Sequence, residues 1–385
     1  MICIVPRRDL LLALTQARRV SNLVRLEAQG SSLMVQARSS DLCLTTQVTA
    51  TVETPGSVVA DCKDLHGICR AWPMHAFVRL ETTEERIRVT AGEASPASAE
   101  LCAGDVDRLA PVLDADSWGL VGHCAEGCLS EILRVAAVAC RDATRAAICF
   151  VLLEARQETL ESETTLRATT TDGTRLAYAQ TLVSENTVQG SWLISPLAAS
   201  LLDVLGAHAV SLSVAREKGQ EEGREGPIPS TLLRATTSTA TLTMRVSAGT
   251  DFPDSSQVVP PESTPKRASI DREALRAAAS ACAIFSAGTV NKTTVMEAFE
   301  GGLRLRTNRE GEGEHMEDPV AADLHDWPES LRLGVNAKML AELLTITRGD
   351  RVTLCFADTL SPIRWALDDA GGVALIMPVR LGDSE

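Results

Sequence analysis

Aromatic residues are scarce in this 385-residue sequence: one Tyr, five Trp and six Phe. Any core must rest on Leu, Val, Ile, Ala and Met. No apolar run reaches the roughly 20 residues that a membrane-spanning helix needs. The start, MICIVPRRDLLLAL, puts its basic pair after the apolar opening and an acidic residue next, unlike a secretory leader. A cytosolic chain without membrane contact is expected. Catalytic signatures are missing too: no GxxxxGK followed by Ser or Thr, no GxGxxG after a strand, no HExxH and no GxSxG. The six His are scattered, and the many carboxylates sit mostly in acidic loops, so no general acid–base pair stands out. Nothing here points to an enzyme or a cofactor.

There is also no CxxC pair among the eleven cysteines, whose odd total argues against a disulfide framework. The closest two, Cys124 and Cys128, are followed by no second pair at zinc spacing. Most lie among apolar neighbours, where a reduced thiol behaves as a small hydrophobe. No metal is implied. The formal net charge of -14 excludes a uniformly basic coat for nucleic acid. It leaves room for a local basic surface on an acidic body.

What is present reads as one unit written three times. VVADCKDLHGIC, WLISPLAASLLD and LGVNAKMLAELL each place a capping residue (Asp61, Ser195, Asn336) after an extended apolar segment. Seven positions beyond each cap stands an aliphatic residue: Ile68, Leu202 and Leu343. A further helix opens each unit, in RRDLLLALTQARR, GCLSEILRVAAVAC and DREALRAAASACA. Between the helices the period drops to two. Leu42, Leu44, Thr46, Val48, Ala50 and Val52 share one face, as do Ala240, Leu242, Met244 and Val246. Helices on antiparallel sheet, an α+β arrangement of three tandem similar domains, are expected at 1–118, 119–254 and 255–385. LDADSWG marks the first boundary, and FPDSSQVVPPESTPKR reads as an extended linker at the second. REKGQEEGREGPIP and NREGEGEHMEDPVAADLHDWPES read as charged surface loops. The Asp-Gly of TTTDGTRL signals a hairpin turn, a simpler role for Asp172 than catalysis.

ATTTDGTRLAYA (168–179), DFPDSSQVVP (251–260) and ALIMPVRL (374–381), with LGVNAKMLAELL (333–344), occur in the order and at the separations found in the bacterial DNA polymerase III β sliding clamps. The chain resembles that family over nearly all its length. The resemblance implies a DNA-clamp fold with helices lining the inner face of a ring, sheets outside, and closure as a head-to-tail homodimer around duplex DNA. It implies a cytoplasmic, nucleoid-associated protein that binds DNA polymerase and clamp-loader subunits through short peptide motifs. One subsite of the peptide cleft would comprise Ile148, Thr171, Gly173, Arg175, Leu176, Pro253, Val258, Leu375 and Met377. The other would comprise Thr174, Asn336, Met339, Leu360, Pro378, Val379 and Arg380. Aliphatic walls with a pliable Met suit a peptide's Leu or Phe anchors, and the edge Arg residues suit an acidic group.

The family often has His at the position of Thr174 and an aromatic at Met339, so peptide preference should differ here. Sequence-independent phosphate contacts would fall to Arg18, Arg19, Lys63, Arg70, Arg134, Arg141, Arg145, Arg272, Arg276 and Lys338, each of which also suits an ordinary solvated helix face. Ala146 and Ala147 replace the family's aromatics beside Arg141 and Arg145, which argues against base stacking there. The dimer contact would use Leu101 on one side and Ile284 with Phe285 on the other, although CAIFSAG equally suits a buried helix end. A clamp paralogue that binds partners as a scaffold or resistant copy without loading on DNA is the alternative.

Overall fold

The computed structural model describes residues 1–83, 85–91, 97–157, 163–218, 231–249, 252–261, 264–286, 293–299, 301–309, 313–317 and 319–381. Among the described residues six α-helices stand against antiparallel sheets: α1 (Arg7–Val20), α2 (Cys62–Ala71), α3 (Cys128–Leu133), α4 (Pro196–Leu205), α5 (Arg272–Ser286) and α6 (Ala337–Ile346). Contacts gather the chain into two compact units. The first holds residues 1–130, 183–189 and 197–247, and the second holds 131–182, 190–196 and 248–385. Residues 119–254 contribute to both.

In the first unit, two stretches chosen for their alternation turn out to be partners. Leu42 pairs with Met244, Leu44 with Leu242 and Thr46 with Ala240, in one antiparallel register. That pairing lies inside a continuous sheet. From one edge it runs through strands 56–61, 23–29, 32–38, 42–49, 240–248, 231–236 and 210–216 to 119–124. A separate five-stranded sheet ends on Ala97–Cys102. The LDADSWG stretch is packed. Leu113 and Ala115 are buried with Cys43, Ala215 and Leu232, Trp118 packs beside them, and the Arg234 guanidinium lies 3.6 Å over the Trp118 ring.

Helices α1 and α2 pack through Leu10, Ala13, Leu14 and Ala17 against Cys62, Leu65 and Cys69. Apart from Asp61, which caps α2 by accepting from Asp64 N at 3.0 Å, a second residue ties the pair. Buried Arg7, the first residue of α1, donates to the carbonyls of Cys69 (2.6 Å) and Arg70 (3.0 Å). These carbonyls belong to the last turn of α2, where a cation meets the negative end of the helix dipole.

The second unit repeats the device. Arg272 opens α5 and donates to Leu344 O (3.3 Å) and Gly349 O (2.7 Å) at the end of α6, and Asn336 caps α6 through Met339 N at 3.2 Å. Around these helices one sheet runs through strands 175–183, 373–376, 363–366, 351–356, 266–271 and 320–325. Another joins 332–336, 293–299, 302–309 and 313–316.

Three expectations change. The helix over GCLSEILRVAAVAC is short: α3 ends at Leu133 and a 3-10 turn covers Arg134–Val138. The Val135 carbonyl accepts from the Thr170 hydroxyl at 2.7 Å and the Glu131 carbonyl from Arg134, so both are drawn from an α-helical ladder. The charged stretch after Arg309 contains strands Gly313–Met316 and Val320–His325, held by backbone pairing that composition does not reveal. The second linker is anchored, with Phe252 buried against Leu152 and Leu193 and Asp254 capping a 3-10 turn at Ser255–Gln257. Most of REKGQEEGREGPIP lies outside the described residues.

All eleven cysteines are free, and seven are buried. Burial pushes the thiols of Cys62, Cys69 and Cys124 up to about 12, keeping them protonated. They serve as packing.

Candidate partner-binding cleft and basic surface

The cleft candidates gather in the second unit around the turn between strands Thr164–Thr171 and Arg175–Val183. Gly173 sits at φ +85°, and a Cβ there would meet the Arg145 guanidinium. The left-handed backbone favours glycine, whereas the guanidinium ends a flexible side chain that can swing aside. Asp172 Oδ1 accepts from the backbone N–H of Thr174 (2.9 Å) and Arg175 (3.0 Å), and Thr171 Oγ1 accepts from Gly173 N at 3.0 Å. The turn is thus rigid before any partner arrives.

Arg175 fastens this turn to α6. Its side chain is only 9 % exposed; Nε donates to Asp172 Oδ2 at 2.9 Å, and Nη1 reaches Glu342 Oε2 at 2.7 Å and Met339 O at 3.3 Å. Arg175 also pairs with Ile376, and Leu176 with Leu375, so the C-terminal ALIMPVRL strand extends the hairpin's sheet. Met377 N donates to Thr174 O and Val379 N to Gly334 O, both at 2.8 Å. Sequence-distant residues are thereby brought together: Thr171, Gly173, Thr174, Arg175, Leu176, Asn336, Met339, Leu375, Met377, Pro378 and Val379.

Their exposure is graded. Leu176 and Leu375 are buried, Met339, Met377, Pro378 and Val379 are half-buried, and Arg380 is exposed. Ile148 is buried at the end of the segment whose Arg145 donates to Asp172 O at 2.7 Å. Val258 and Leu360 lie on other loops of the same unit, 48 % and 56 % exposed. Exposed Pro253 borders a different cavity of about 700 Å³, lined among others by Glu154, Arg156, Arg167 and Tyr178. Sequence reading missed Glu342, although it stands three residues after Met339 on the same helix.

The basic candidates divide by what already holds them. In the first unit Arg18, Arg19, Lys63 and Arg70 are exposed on α1 and α2. Arg18 and Arg70 flank one shallow depression with His66 at its floor. Arg18 Nη1 lies 3.4 Å from His66 Nδ1 and Thr15 Oγ1 lies 3.2 Å from Nε2, an arrangement that suits a neutral ring carrying its proton on Nε2. Burial holds the imidazole below its ordinary value, and Arg18 and Arg70 add to that. His66 was not among the residues chosen from sequence.

In the second unit Arg141, Arg145 and Lys338 are exposed, and Arg276 is half-buried beside Glu273. Arg272 is occupied at the end of α6. Arg134 is an internal tie: its side chain is 10 % exposed, Nε donates to Ile346 O at 2.8 Å, and Nη2 pairs with Asp368.

Of the dimer candidates, one lies on an outer strand and two at a helix end. Half-buried Leu101 is on Ala97–Cys102, the outer strand of its sheet. Ile284 is 79 % exposed at the end of α5, and the Phe285 ring lies 5.6 Å from that of His315.

This combination of helix pairs on antiparallel sheets is the fold of the beta sliding clamps. The solved DNA polymerase III beta subunit of Thermotoga maritima superposes with a TM-score of 0.80 at 19% identity, covering 99% of this chain and 100% of that one. The sliding clamp of Caulobacter crescentus gives 0.78 at 22%, with the same coverage. Two family models match, the N-terminal domain of the DNA polymerase III beta subunit over residues 11–109 and its C-terminal domain over 256–380. Among relatives, the beta sliding clamp of Pseudomonas putida is 27% identical over 98% of this chain and 95% of its own length. That of Caulobacter vibrioides is 28% identical over 94% and 92%. The chain belongs to the DNA polymerase III beta subunit family.

Proposed function

We propose that the protein is a sliding clamp that encircles duplex DNA as a head-to-tail homodimer. In this reading it tethers the replicative polymerase, clamp-loader subunits and other replication or repair proteins through the cleft around Arg175. Three tandem domains, 1–118, 119–254 and 255–385, form each half-ring, with Leu101 of one subunit meeting Ile284 and Phe285 of the next. The phosphate-facing set is led by the cations that remain exposed: Arg18, Arg19, Lys63, Arg70, Arg141, Arg145 and Lys338. Arg134, Arg272 and Arg276 contribute less, because each is less exposed as well as held by a protein partner.

The observation that carries this reading is the clasp. Arg175 locks the hairpin to α6, leaving Met339, Met377, Pro378 and Val379 half open beside fixed backbone. A preformed apolar shelf with a few fixed polar groups suits a short peptide with Leu or Phe anchors, since little ordering is needed on binding.

Fluorescence anisotropy with a labelled polymerase clamp-binding peptide tests the cleft. Met377→Glu should weaken binding at least tenfold, about 1.4 kcal/mol, by burying a charge against the anchor. Lys338→Gln should leave it unchanged. Loading onto nicked circular plasmid, followed by linearisation, tests the ring: release on cutting supports encirclement. A chain that binds the peptide but never loads is the non-loading paralogue instead.

A further inference from the structure

Away from the cleft, three side chains of different chemistry converge in the second unit. Cys282 on α5 and His315 and Glu317 on or just beyond strand Gly313–Met316 bring their ligand atoms within 4.8 Å of one another. Residues two apart on an extended chain point to one side, so His315 and Glu317 both face the helix. Cys282 is fully buried, whereas the His315 and Glu317 side chains are 34 % and 25 % exposed. The group therefore has a closed floor and an open side. His315 Nε2 and Glu317 Oε1 already approach each other, and Thr307, which pairs with His315 across the strands, is hydrogen-bonded to the Cys282 thiol. Phe285 lies against the His315 ring, tilted by 32°.

We propose that Cys282, His315 and Glu317 form a binding site for a borderline-soft divalent cation of the zinc class. One thiolate, one imidazole and one carboxylate are the donors such an ion takes, and the open side leaves a fourth position for water. Magnesium and calcium, which prefer oxygen donors, do not suit a site floored by sulfur. Binding drives the thiol proton into solvent and forms the metal–sulfur bond, with no oxidant or reductant involved. An ion held by all three would have to part the His315–Glu317 contact, which rotation of these two partly exposed side chains allows. Sequence spacing hid the site because Cys282 and His315 belong to elements far apart in the chain, without the paired short spacing of zinc modules.

The test uses the untagged full chain, reduced and stripped with chelator, titrated with cobalt(II) and then zinc. One cobalt ion per chain should bind with a thiolate-to-metal charge-transfer band, and zinc should displace it, while excess magnesium should not. Cys282→Ser should abolish the band. Glu317→Gln, at a partly exposed position that folding tolerates, should weaken affinity at least tenfold with an unchanged circular dichroism spectrum. Cobalt binding without the band, equal affinity in Glu317→Gln, or no binding at micromolar metal would each overturn the proposal.

Discussion

Arg175 concentrates more consequence than any other side chain in the cleft. Its loss leaves the Asp172 carboxylate and the Met339 carbonyl without their guanidinium partner, in a place where little water enters. Arg175→Ala should destabilise the second unit by about 2–3 kcal/mol, because the partners left behind carry the cost of being unpaired. Chemical denaturation checks this, and a shift under about 0.5 kcal/mol would show that the clasp is ornamental. Gly173→Ala acts on the same turn by another route, through a left-handed backbone and a Cβ in the space of Arg145, and should cost about 1–2 kcal/mol. His66 supplies a pH prediction. Its folded value lies below the ordinary 6.5, so the folded chain holds this proton less readily than the unfolded one. The stability it contributes is present above 6.5 and lost as pH falls through the lower folded value. A phosphate drawn to Arg18 and Arg70 would cancel their repulsion and raise His66 again. DNA affinity should then rise as pH drops from 7 to 5.5, with proton uptake that His66→Gln abolishes. Titration of the ring by NMR, with and without duplex, follows the group directly; a value unmoved by DNA would remove the phosphates from this depression.

Among the elements, α1 and α5 share a feature that alternation and capping patterns did not expose. Arg7 and Arg272 each open a helix and each close the C-terminal end of the next, so Arg272 belongs with Arg7 as a structural cation. Arg272→Ala should lower stability by about 1–2 kcal/mol with little effect on DNA affinity. Lys338→Gln should do the reverse, leaving the melting temperature in place and reducing the salt dependence of DNA binding. The two measurements separate a cap from a phosphate contact. What could be read from sequence follows the same division. Strands 42–49 and 240–248 declared themselves because burial on a sheet imposes a period of two, and the pairing Leu44 with Leu242 follows from it. The caps Asp61 and Asn336 were legible because they act locally. The shortened α3 was not, since the Thr170 hydroxyl that takes the Val135 carbonyl is distant in sequence. Strand 313–316 was hidden for a related reason: as an edge strand held by backbone bonds it needs no apolar alternation. Around the candidate cleft, the Asp-Gly pair signalled the hairpin turn, but only the three-dimensional structure reveals that one guanidinium joins it to α6.

At the scale of the whole molecule, a net charge of -14 per chain opposes an approach to DNA, and the proposed homodimer would double the opposition. Local cations must act against that background, so equilibrium affinity for a short open duplex should be weak and steeply reduced by salt. Retention by a closed ring obeys a different rule, because the DNA cannot leave without a break in the protein or an end in the duplex. Lifetime on a circle is then set by ring opening and not by phosphate contacts. Replacing both Arg141 and Lys338 with Gln separates the two regimes. Binding to a short linear duplex should fall several-fold, in proportion to the contacts removed. The lifetime on nicked circular plasmid should stay within about twofold of the unmodified chain, since neither side chain is among the Leu101, Ile284 and Phe285 contacts proposed for closure. Single-molecule residence times on circles of one length, taken at two salt concentrations, measure both quantities. A lifetime that shortens with charge removal as steeply as the linear affinity does would mean that electrostatics holds the protein on DNA, and the closed ring would have to be abandoned.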